Sequence, residues 1–252
     1  AAKSPNEKVV GADKSDNSDA SKSDKHADGE HGEHAGKGEH AEEHAHGGHG
    51  EEHAHGAGGE PLGHRFEDAD KWAKRFDKKG RKSWQMPKEV IARMKITKGM
   101  RVADIGAGTG YFLPHLSAAV GEKGSVVGLD IEKDMVRYMR ERAKKEKLGN
   151  VTAEISATDD PGLAPSSLDR VLIVNTWHHI ADRVGYAKKL AKGLAEGGTV
   201  TIVDFTMEAK HGPKKSHRLL PDSIVKELKA AGLSAEIITE KLPDQYIVVG
   251  SK

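Results

Sequence analysis

Hydrophobic residues between positions 99 and 252 gather into short runs that alternate with longer stretches of helical periodicity. The runs that predict buried strands lie at 102–105, 125–129, 151–156, 170–175, 199–205, 235–239 and 245–250. The stretches that predict helices lie at 111–120, 133–147, 183–194 and 221–231. Strands that alternate with helices in this way indicate an α/β fold.

A different pattern precedes this region, in residues 64–98, which we call the lid segment. Phe66, Trp72 and Phe76 recur at helical spacing and predict a short amphipathic helix. A second helix is expected after Pro87. The aromatic side chains of the segment either cover the core or form a lid over a ligand.

Residues 1–63 predict a disordered tail that is rich in His, Glu and Gly. The first 60 residues contain no Leu, Ile, Met, Phe, Trp or Tyr, so they cannot bury enough apolar surface to offset the entropy of ordering them. They hold 6 lysines, no arginine and 14 acidic residues, a net charge of −8 against +1 for the whole chain. The remaining unit of roughly 190 residues is long enough for one hydrophobic core.

Histidine is concentrated in this tail and directly after it, because residues 26–64 hold 10 of the 15 histidines of the chain. The hexapeptide Glu-Glu-His-Ala-His-Gly occurs twice and pairs His44 with His46 and His53 with His55. Imidazoles paired in this way, beside carboxylates, are ligands for zinc and nickel. One interpretation is a metal-binding or metal-buffering protein with zinc or nickel on the tail. The other is a solvated linker whose metal affinity is incidental.

Composition excludes or disfavours several classes of protein. The chain has no cysteine, which removes disulfide scaffolds, thiolate metal sites and cysteine nucleophiles, and it has no apolar stretch of about 18 residues that would span a membrane. Residues 61–252 carry a net charge of +9. Their basic runs at 71–82 and 137–147 are not interleaved with aromatic residues as in RNA-binding motifs, which disfavours a nucleic-acid partner.

Residues 101–112, with the sequence RVADIGAGTGYF, combine a strand, a glycine-rich turn and the start of a helix. Glycine lets the backbone turn sharply and approach a ligand closely. Asp130 ends the next predicted strand, 20 residues after Gly110, where a carboxylate suits the two hydroxyl groups of a ribose. Asp104, before the turn, suits a cationic amino-acid end. Tyr111 replaces the last glycine of the dinucleotide fingerprint, which disfavours a nicotinamide-dependent enzyme.

The segment 104–110, with the sequence DIGAGTG, resembles motif I of the class I S-adenosylmethionine-dependent methyltransferases. Residues 168–175 and 194–205 resemble the fourth strand and the turn into the fifth strand of that family, so the resemblance extends over residues 99–252. It implies a doubly wound, Rossmann-like α/β fold whose seven-stranded sheet is closed by an antiparallel C-terminal hairpin. It also implies a small-molecule methyl acceptor, as in methyltransferases of quinone biosynthesis.

The same resemblance implies S-adenosyl-L-methionine as the cofactor and a set of residues that bind it. Asp130 matches the family's ribose-binding acid, and Asp159 lies where the family often places a residue against the adenine amino group. The implied cofactor-binding residues are Asp104, Gly106, Ala107, Gly108, Gly110, Asp130, Ile131, Asp159 and Asn175.

The acceptor is expected near residues 175–180, because ligands of open α/β sheets bind at the carboxyl ends of the strands. His178 or His179 would take a proton from the acceptor, and Asn175 would help to position it. Alternatively, the histidine pair caps the strand end and bonds the backbone. Further pocket residues are expected at Trp84 and Gln85, between the two lid helices, and at Tyr111, Trp177 and Tyr246.

The N-terminus and the cofactor favour different compartments. The chain begins with Ala1-Ala2-Lys3 and without methionine, and a small residue at a new N-terminus is what cleavage of an export signal leaves behind. This favours an exported, periplasmic protein. Because S-adenosylmethionine is made inside the cell, a cytoplasmic location is the alternative.

Overall fold

A computed structural model describes residues 66–239 and 242–252, and within them seven strands form one sheet. The strands are β1 (Arg101–Ile105), β2 (Ser125–Asp130), β3 (Val151–Ile155), β4 (Leu168–Val174), β5 (Leu194–Phe205), β6 (Ser234–Ile238) and β7 (Gln245–Ser251). Their order across the sheet is β3-β2-β1-β4-β5-β7-β6. Strands β1 to β5 are parallel, whereas β7 is antiparallel to both β5 and β6. The predicted seven-stranded sheet with an antiparallel C-terminal hairpin is confirmed.

Helices cover both faces of this sheet. In the same described ranges they are α1 (Ala69–Phe76), α2 (Arg81–Gln85), α3 (Pro87–Arg93), α4 (Leu113–Val120), α5 (Lys133–Lys145), α6 (Arg183–Gly193) and α7 (Pro221–Ala230). Helices α3, α4 and α5 pack on one face and α6 and α7 on the other, so the fold is doubly wound as predicted. None of the helices described here has the length and apolar character needed to cross a membrane.

The central strands are buried on both faces, which explains the unbroken apolar runs of the sequence. In β4, Val171 and Ile173 face α6 and α7, whereas Leu172 and Val174 face the side of α3 to α5. All four side chains are buried. A strand with one face in solvent would alternate polar and apolar residues instead.

The lid segment contains three helices where its sequence predicts two. Residues 81–85, expected to connect two helices, form α2. Met86 ends α2 with a left-handed φ of 45°, and Pro87 begins α3, where a missing backbone N–H leaves no helical hydrogen bond unmade. Trp84 and Gln85 are therefore helical residues, and the expectation that they lie between helices is wrong.

The predicted tail of residues 1–63 lies outside the described residues, together with the candidate metal ligands His44, His46, His53 and His55. Zinc or nickel binding by the tail therefore stays a prediction from the sequence. In the part of the chain that the structure describes, no three His, Asp or Glu side chains are grouped so that they could hold a metal ion.

A substitution at Gly128 of β2 tests how tightly the sheet packs against helices α4 and α5. A Cβ atom there would lie 2.7 Å from Met139 Sδ and 3.2 Å from Leu113 Cδ2, so Gly128→Ala must displace both side chains. Overpacking of this kind costs about 1–3 kcal/mol, and we expect that loss in the free energy of unfolding measured by urea titration of the circular dichroism.

Gly149→Ala is the matched control for this substitution. Its Cβ would meet no atom within 4 Å, so we expect the free energy of unfolding to change by less than about 0.5 kcal/mol. Equal losses in the two variants would contradict the packing described here.

Candidate active site

The glycine-rich turn joins β1 to α4 at the carboxyl end of the sheet. Gly106, Gly108 and Gly110 have φ angles of 67°, 56° and 74°. A Cβ atom at Gly106 would lie 2.3 Å from the Thr176 side chain, so this turn approaches the residues after β4 in a way that only glycine permits. A Cβ at Gly108 would approach only the ring of Phe76, at 3.9 Å. The Gly108 backbone is therefore open to a ligand on that side.

Asp130 holds the turn from the end of β2. Its carboxylate accepts hydrogen bonds from the backbone N–H groups of Gly108, at 2.8 Å, and Glu132, at 3.0 Å. Burial raises the pKa of the Asp130 carboxyl, while these two hydrogen bonds oppose the rise. Each carboxylate oxygen has a further lone pair that can accept from a ribose hydroxyl. The structure thus brings the predicted ribose-binding acid against the predicted turn.

Asp104, the last but one residue of β1, is 2% exposed. Burial raises the pKa of its carboxyl to about 8, the Arg81 cation opposes this rise and Asp130 adds to it. A cation that reaches a buried carboxyl stabilises its charged form. The ammonium group of an amino-acid ligand supplies such a charge.

Arg81 of α2 is a site residue that the sequence analysis missed. Its guanidinium carbon lies 4.0 Å from the centroid of the Tyr111 ring. The guanidinium donates to Gln85 Oε1 at 3.2 and 3.3 Å and to the carbonyl of Phe76 at 3.0 Å. Burial lowers the pKa of Arg81 below its ordinary value. In the sequence, Arg81 belongs to the basic run 71–82, and nothing there separates it from its exposed neighbours.

Three amide side chains connect the lid segment to the ends of two strands. Gln85 donates to Oε1 of Gln245, Gln245 donates to Oδ1 of Asn175, and Asn175 donates back to Oε1 of Gln85 at 3.4 Å. Gln85 and Gln245 are fully buried. Asn175 has a left-handed φ of 57°, which asparagine adopts more readily than most residues. We call this closed set of hydrogen bonds the amide ring. It joins the predicted Gln85 and Asn175 to Gln245, which was not predicted.

His178, in the 3₁₀ turn after β4, pairs with Asp204 near the end of β5. Its Nδ1 lies 2.9 Å from both carboxylate oxygens, and the two side chains are 3% and 1% exposed. When Nδ1–H donates to this carboxylate, the neutral ring carries its free lone pair on Nε2. His179 packs beside it, with ring centroids 4.3 Å apart. One of the two predicted bases therefore has a carboxylate partner, which adjacency in the sequence did not indicate.

An aromatic cluster lies beside the glycine-rich turn and consists of Phe66, Trp72, Phe76 and His179. The Phe66 centroid lies 4.9 Å from that of Trp72 and 5.9 Å from those of Phe76 and His179. Trp72 stacks on Phe76 at 5.2 Å. Because Phe76 also borders Gly108, the aromatic cluster lines one side of the turn with apolar rings, of which only Trp72 and Phe76 are near parallel.

Helix α1, which carries two rings of the aromatic cluster, is tied to α5 at both of its ends. The Asp134 carboxylate accepts from the backbone N–H of Ala69 at 2.6 Å, and Arg142 bonds Asp77 at 3.1 Å. Arg142 also donates to the carbonyl of Thr109 at 3.2 Å. These bonds set the position of α1 relative to the glycine-rich turn.

Trp84 of α2 packs against the loop between β5 and α7. Its ring stacks on His211, with centroids 4.8 Å apart and an interplanar angle of 13°, and lies 5.9 Å from Phe205. Asp244 is hydrogen-bonded to His211 Nδ1. Arg218 donates to five backbone carbonyls of the loop, those of Thr206, Met207, Ala209, His211 and Pro213. The loop is thus an ordered border beside Trp84.

Two residues predicted for the acceptor pocket lie in the core between the sheet and helices α6 and α7. Trp177 is fully buried, and its indole N–H donates to Glu227 Oε2 at 2.8 Å. Tyr246 belongs to the same core and donates its hydroxyl to the carbonyl of Leu219 at 2.9 Å. Both polar groups are satisfied by the protein, so these side chains support the core and do not join the group around the turn.

Two of the predicted cofactor-binding residues, Ile131 and Asp159, lie at the surface. Ile131 directly follows β2 and is 46% exposed, so its apolar side chain is available to the face of a flat ring. The Asp159 side chain is 80% exposed, and its carboxylate lies 3.6 Å from Lys189 Nζ. Its binding to adenine stays a prediction. The predicted Ala107 lies within the glycine-rich turn, between Gly106 and Gly108.

Residues 96–246 match a family model described as a methyltransferase domain. The match covers more than half of the chain. The chain belongs to the class I S-adenosylmethionine-dependent methyltransferases. The order of strands, the glycine-rich turn and the acid after β2 agree with this assignment.

Similar proteins include relatives with named acceptors. Aklanonic acid methyltransferase DauC from Streptomyces sp. (strain C5) is 26% identical over 161 residues, 64% of this chain and 68% of that protein. The demethylmenaquinone methyltransferase of Alkalihalophilus pseudofirmus is 28% identical over 123 residues, 49% of this chain and 51% of that protein. The chain thus spans about half the length of that second relative. A solved SAM-dependent methyltransferase from Aquifex aeolicus superposes with a TM-score of 0.68 at 26% identity, covering 73% of this chain and 98% of that one.

The residues around the turn fit S-adenosylmethionine on chemical grounds. Gly108 offers open backbone beside Asp130, whose carboxylate suits ribose hydroxyls. Asp104 offers a buried acid to the ammonium group of the methionine moiety. Tyr111 has a buried hydroxyl without a hydrogen-bond partner among the described residues, which a polar ligand would satisfy. These are complementary to the sugar and amino-acid ends of the cofactor.

Asp130→Asn is expected to weaken cofactor binding. The change replaces one acceptor oxygen by an NH₂ group and removes the charge, and hydrogen bonds to charged groups contribute about 1.5–3 kcal/mol. We therefore expect affinity for S-adenosylhomocysteine, measured by calorimetry, to fall by at least about tenfold. Asp169→Asn is the control, because Asp169 bonds Arg101 near the start of β1. Equal affinities of the two variants would contradict the assignment of Asp130.

Affinity for S-adenosylhomocysteine is expected to rise with pH up to about 8, the value to which burial raises the pKa of Asp104. The ligand ammonium favours the charged carboxylate, so binding releases a proton wherever Asp104 is protonated in the free protein. The slope approaches about tenfold per pH unit below that pKa. Calorimetry between pH 6 and 8 measures it.

Asp104→Asn is the variant that tests this origin, because it removes the titrating group. We expect its affinity to be lower and its pH dependence to be flat over the same interval. A slope that persists in Asp104→Asn would assign the titration to another group.

Proposed function

We propose that this protein transfers the methyl group of S-adenosylmethionine to a small, planar acceptor through an acidic hydroxyl or an equally acidic carbon. The observation that carries the proposal is the buried His178–Asp204 pair at the end of β4, beside the aromatic cluster. A base with its own carboxylate partner suits an acceptor that must lose a proton.

The residues of this chain align the two substrates and transfer a proton. When bound, S-adenosylmethionine supplies an electrophilic methyl group for in-line displacement. Nδ1–H of His178 is hydrogen-bonded to Asp204. Nε2 is therefore the atom that takes the proton from the molecule to be methylated. Asp204 then stabilises the imidazolium cation, as a buried carboxylate does in other His–Asp pairs.

The aromatic cluster supports a flat, largely apolar acceptor. Phe76 borders Gly108, and Phe66 contacts both Phe76 and His179, so a planar molecule would meet aromatic rings on the way to His178. These rings also exclude water from the transferred methyl group. Relatives named for demethylmenaquinone and aklanonic acid support the same class of acceptor.

His178→Gln and Asp204→Asn test the proposal, with hydroxylated naphthoquinols and anthraquinones as acceptors and S-adenosylhomocysteine formation as the readout. A positioned general base contributes about 10²–10⁴-fold, so we expect kcat of His178→Gln to fall by at least about 10²-fold. Affinity for S-adenosylhomocysteine should stay within about threefold, since neither residue is assigned to the cofactor. Asp204→Asn should also lose rate, because the tautomer of His178 is no longer held.

His217→Gln is the matched control, since His217 lies in the 3₁₀ turn Lys215–His217 of the loop before α7. Its kcat should equal that of the unmodified chain. Full activity of His178→Gln would remove the proposed base. Absence of transfer to every hydroxylated ring compound would remove the proposed acceptor class.

A further inference from the structure

A second histidine–aspartate pair lies where the loop between β5 and α7 meets the lid segment. Asp244 directly precedes β7 and is 6% exposed, and its carboxylate is hydrogen-bonded to Nδ1 of His211. The same carboxylate accepts from the backbone N–H of Lys210 at 3.2 Å. Burial acts to raise the pKa of the Asp244 carboxyl, but the bonds from His211 and Lys210 outweigh it and hold the pKa below its ordinary value. Asp244 is therefore ionised at neutral pH.

The Asp244 carboxylate determines which nitrogen of His211 is left for a ligand. A carboxylate only accepts hydrogen bonds, so Nδ1 of His211 carries a proton and donates it. In the neutral ring Nε2 then carries the lone pair, which accepts a hydrogen bond from a hydroxyl group. Among the residues that the structure describes, none is hydrogen-bonded to Nε2. The His211 side chain is 50% exposed, so half of this ring is open to a ligand.

The His211 ring is held in one orientation by its surroundings. Trp84 stacks on its face with an interplanar angle of 13°, and Asp244 bonds its edge. Arg218 donates to the backbone carbonyl of His211 at 3.1 Å. A half-exposed side chain that is free to rotate loses conformational entropy when it binds a ligand, whereas this ring is ordered beforehand. Such pre-organisation favours a binding residue over a solvated surface histidine.

The carboxylates that hold His178 and His211 come from nearby positions of one strand pair. Asp204 lies on β5, and the backbone N–H of Thr206, two residues further on, donates to the Asp244 carbonyl at 3.0 Å. This bond extends the antiparallel pairing of β5 and β7, so Asp204 and Asp244 are diagonal neighbours. The Cα atoms of diagonal neighbours lie about 7–8 Å apart. Both histidines are therefore held at the same edge of the sheet.

We propose that His211 is a specificity residue whose Nε2 binds a second hydroxyl group of the methyl acceptor. The inference rests on the proposed transfer to a planar hydroxylated ring and narrows that class to rings with two hydroxyl groups. His178 takes the proton from the position that is methylated, and the other hydroxyl keeps its proton and donates to His211. Because Nε2 of the neutral ring carries no proton, a carbonyl or methoxy oxygen does not replace that hydroxyl.

The test compares two acceptors that differ in one hydroxyl group. 1,4-Dihydroxynaphthalene, kept reduced under anaerobic conditions, and 1-naphthol are supplied to the full chain with S-adenosylmethionine. The readout is kcat/KM from S-adenosylhomocysteine formation, given as the ratio of the first compound to the second. Intrinsic reactivity differs between the compounds but is the same for every variant. A change in this ratio between variants therefore reports the contact with His211.

Two substitutions separate ligand binding by His211 from anchoring of the loop. His211→Asn keeps an amide nitrogen near the position of Nδ1, which can donate to Asp244, and has no atom at the position of Nε2. We expect its ratio to fall by about 2–10-fold, the value of one neutral hydrogen bond, with activity on 1-naphthol within about twofold. His211→Gln has an amide near the position of Nε2 and should keep part of the ratio.

His217→Asn is the matched control, because it makes the same change in the same loop. Its ratio should equal that of the unmodified chain, and circular dichroism verifies that each variant is folded. A third acceptor, 4-methoxy-1-naphthol, needs no variant. It keeps the second oxygen without its proton, so we expect the unmodified chain to use it about 2–10-fold less efficiently than 1,4-dihydroxynaphthalene.

Several results would overturn the proposal. An unchanged ratio in His211→Asn would show that Nε2 does not bind the acceptor. A ratio that is kept in His211→Asn and lost in His211→Gln would show that His211 only anchors the loop. Equal use of the methoxy and dihydroxy compounds would remove the required hydroxyl donor. Absence of turnover of all three compounds by the unmodified chain would instead remove the proposed acceptor class, and this inference with it.

Discussion

The amide ring is the interaction on which the geometry of this site depends. Buried amides must be hydrogen-bonded, and Gln85, Gln245 and Asn175 satisfy one another where α2, β4 and β7 meet. Removal of one of these three side chains would leave buried polar atoms of the other two without hydrogen bonds. The ring therefore holds α2, β7 and the end of β4 together. Because α2 is fixed in this way, Arg81 reaches the glycine-rich turn and Trp84 reaches the loop after β5.

The site divides into parts with different chemistry that meet at the carboxyl ends of the strands. Asp130 and Gly108 present oxygen acceptors and open backbone, whereas Arg81 and Asp104 present opposite charges. The aromatic cluster is apolar and adjoins His178 through His179. This arrangement suits a ligand with a polar end and an amino-acid end, beside a flat second substrate. The parts come from the lid segment and from the carboxyl ends of β1, β2 and β4.

Structural features that depend on neighbouring residues in the chain could be predicted from the sequence. Strands buried on both faces appear as unbroken apolar runs, and a turn that needs left-handed backbone appears as closely spaced glycine, so β4, the turn and Asp130 could be predicted. Arg81, Asp204 and Gln245 could not, because their roles come from partners far along the chain. Trp177 shows the limit most clearly. It lies next to His178 in sequence, yet its indole is buried in the core between the sheet and helices α6 and α7.

The loop between β5 and α7 is stabilised by hydrogen bonds within the loop itself. Arg218 satisfies five carbonyl groups of this loop from within, so its backbone shape depends little on which side chains project from it. Substitutions along its outward face therefore leave its course unchanged. The surface beside Trp84 can therefore change in sequence while the course of its backbone is kept.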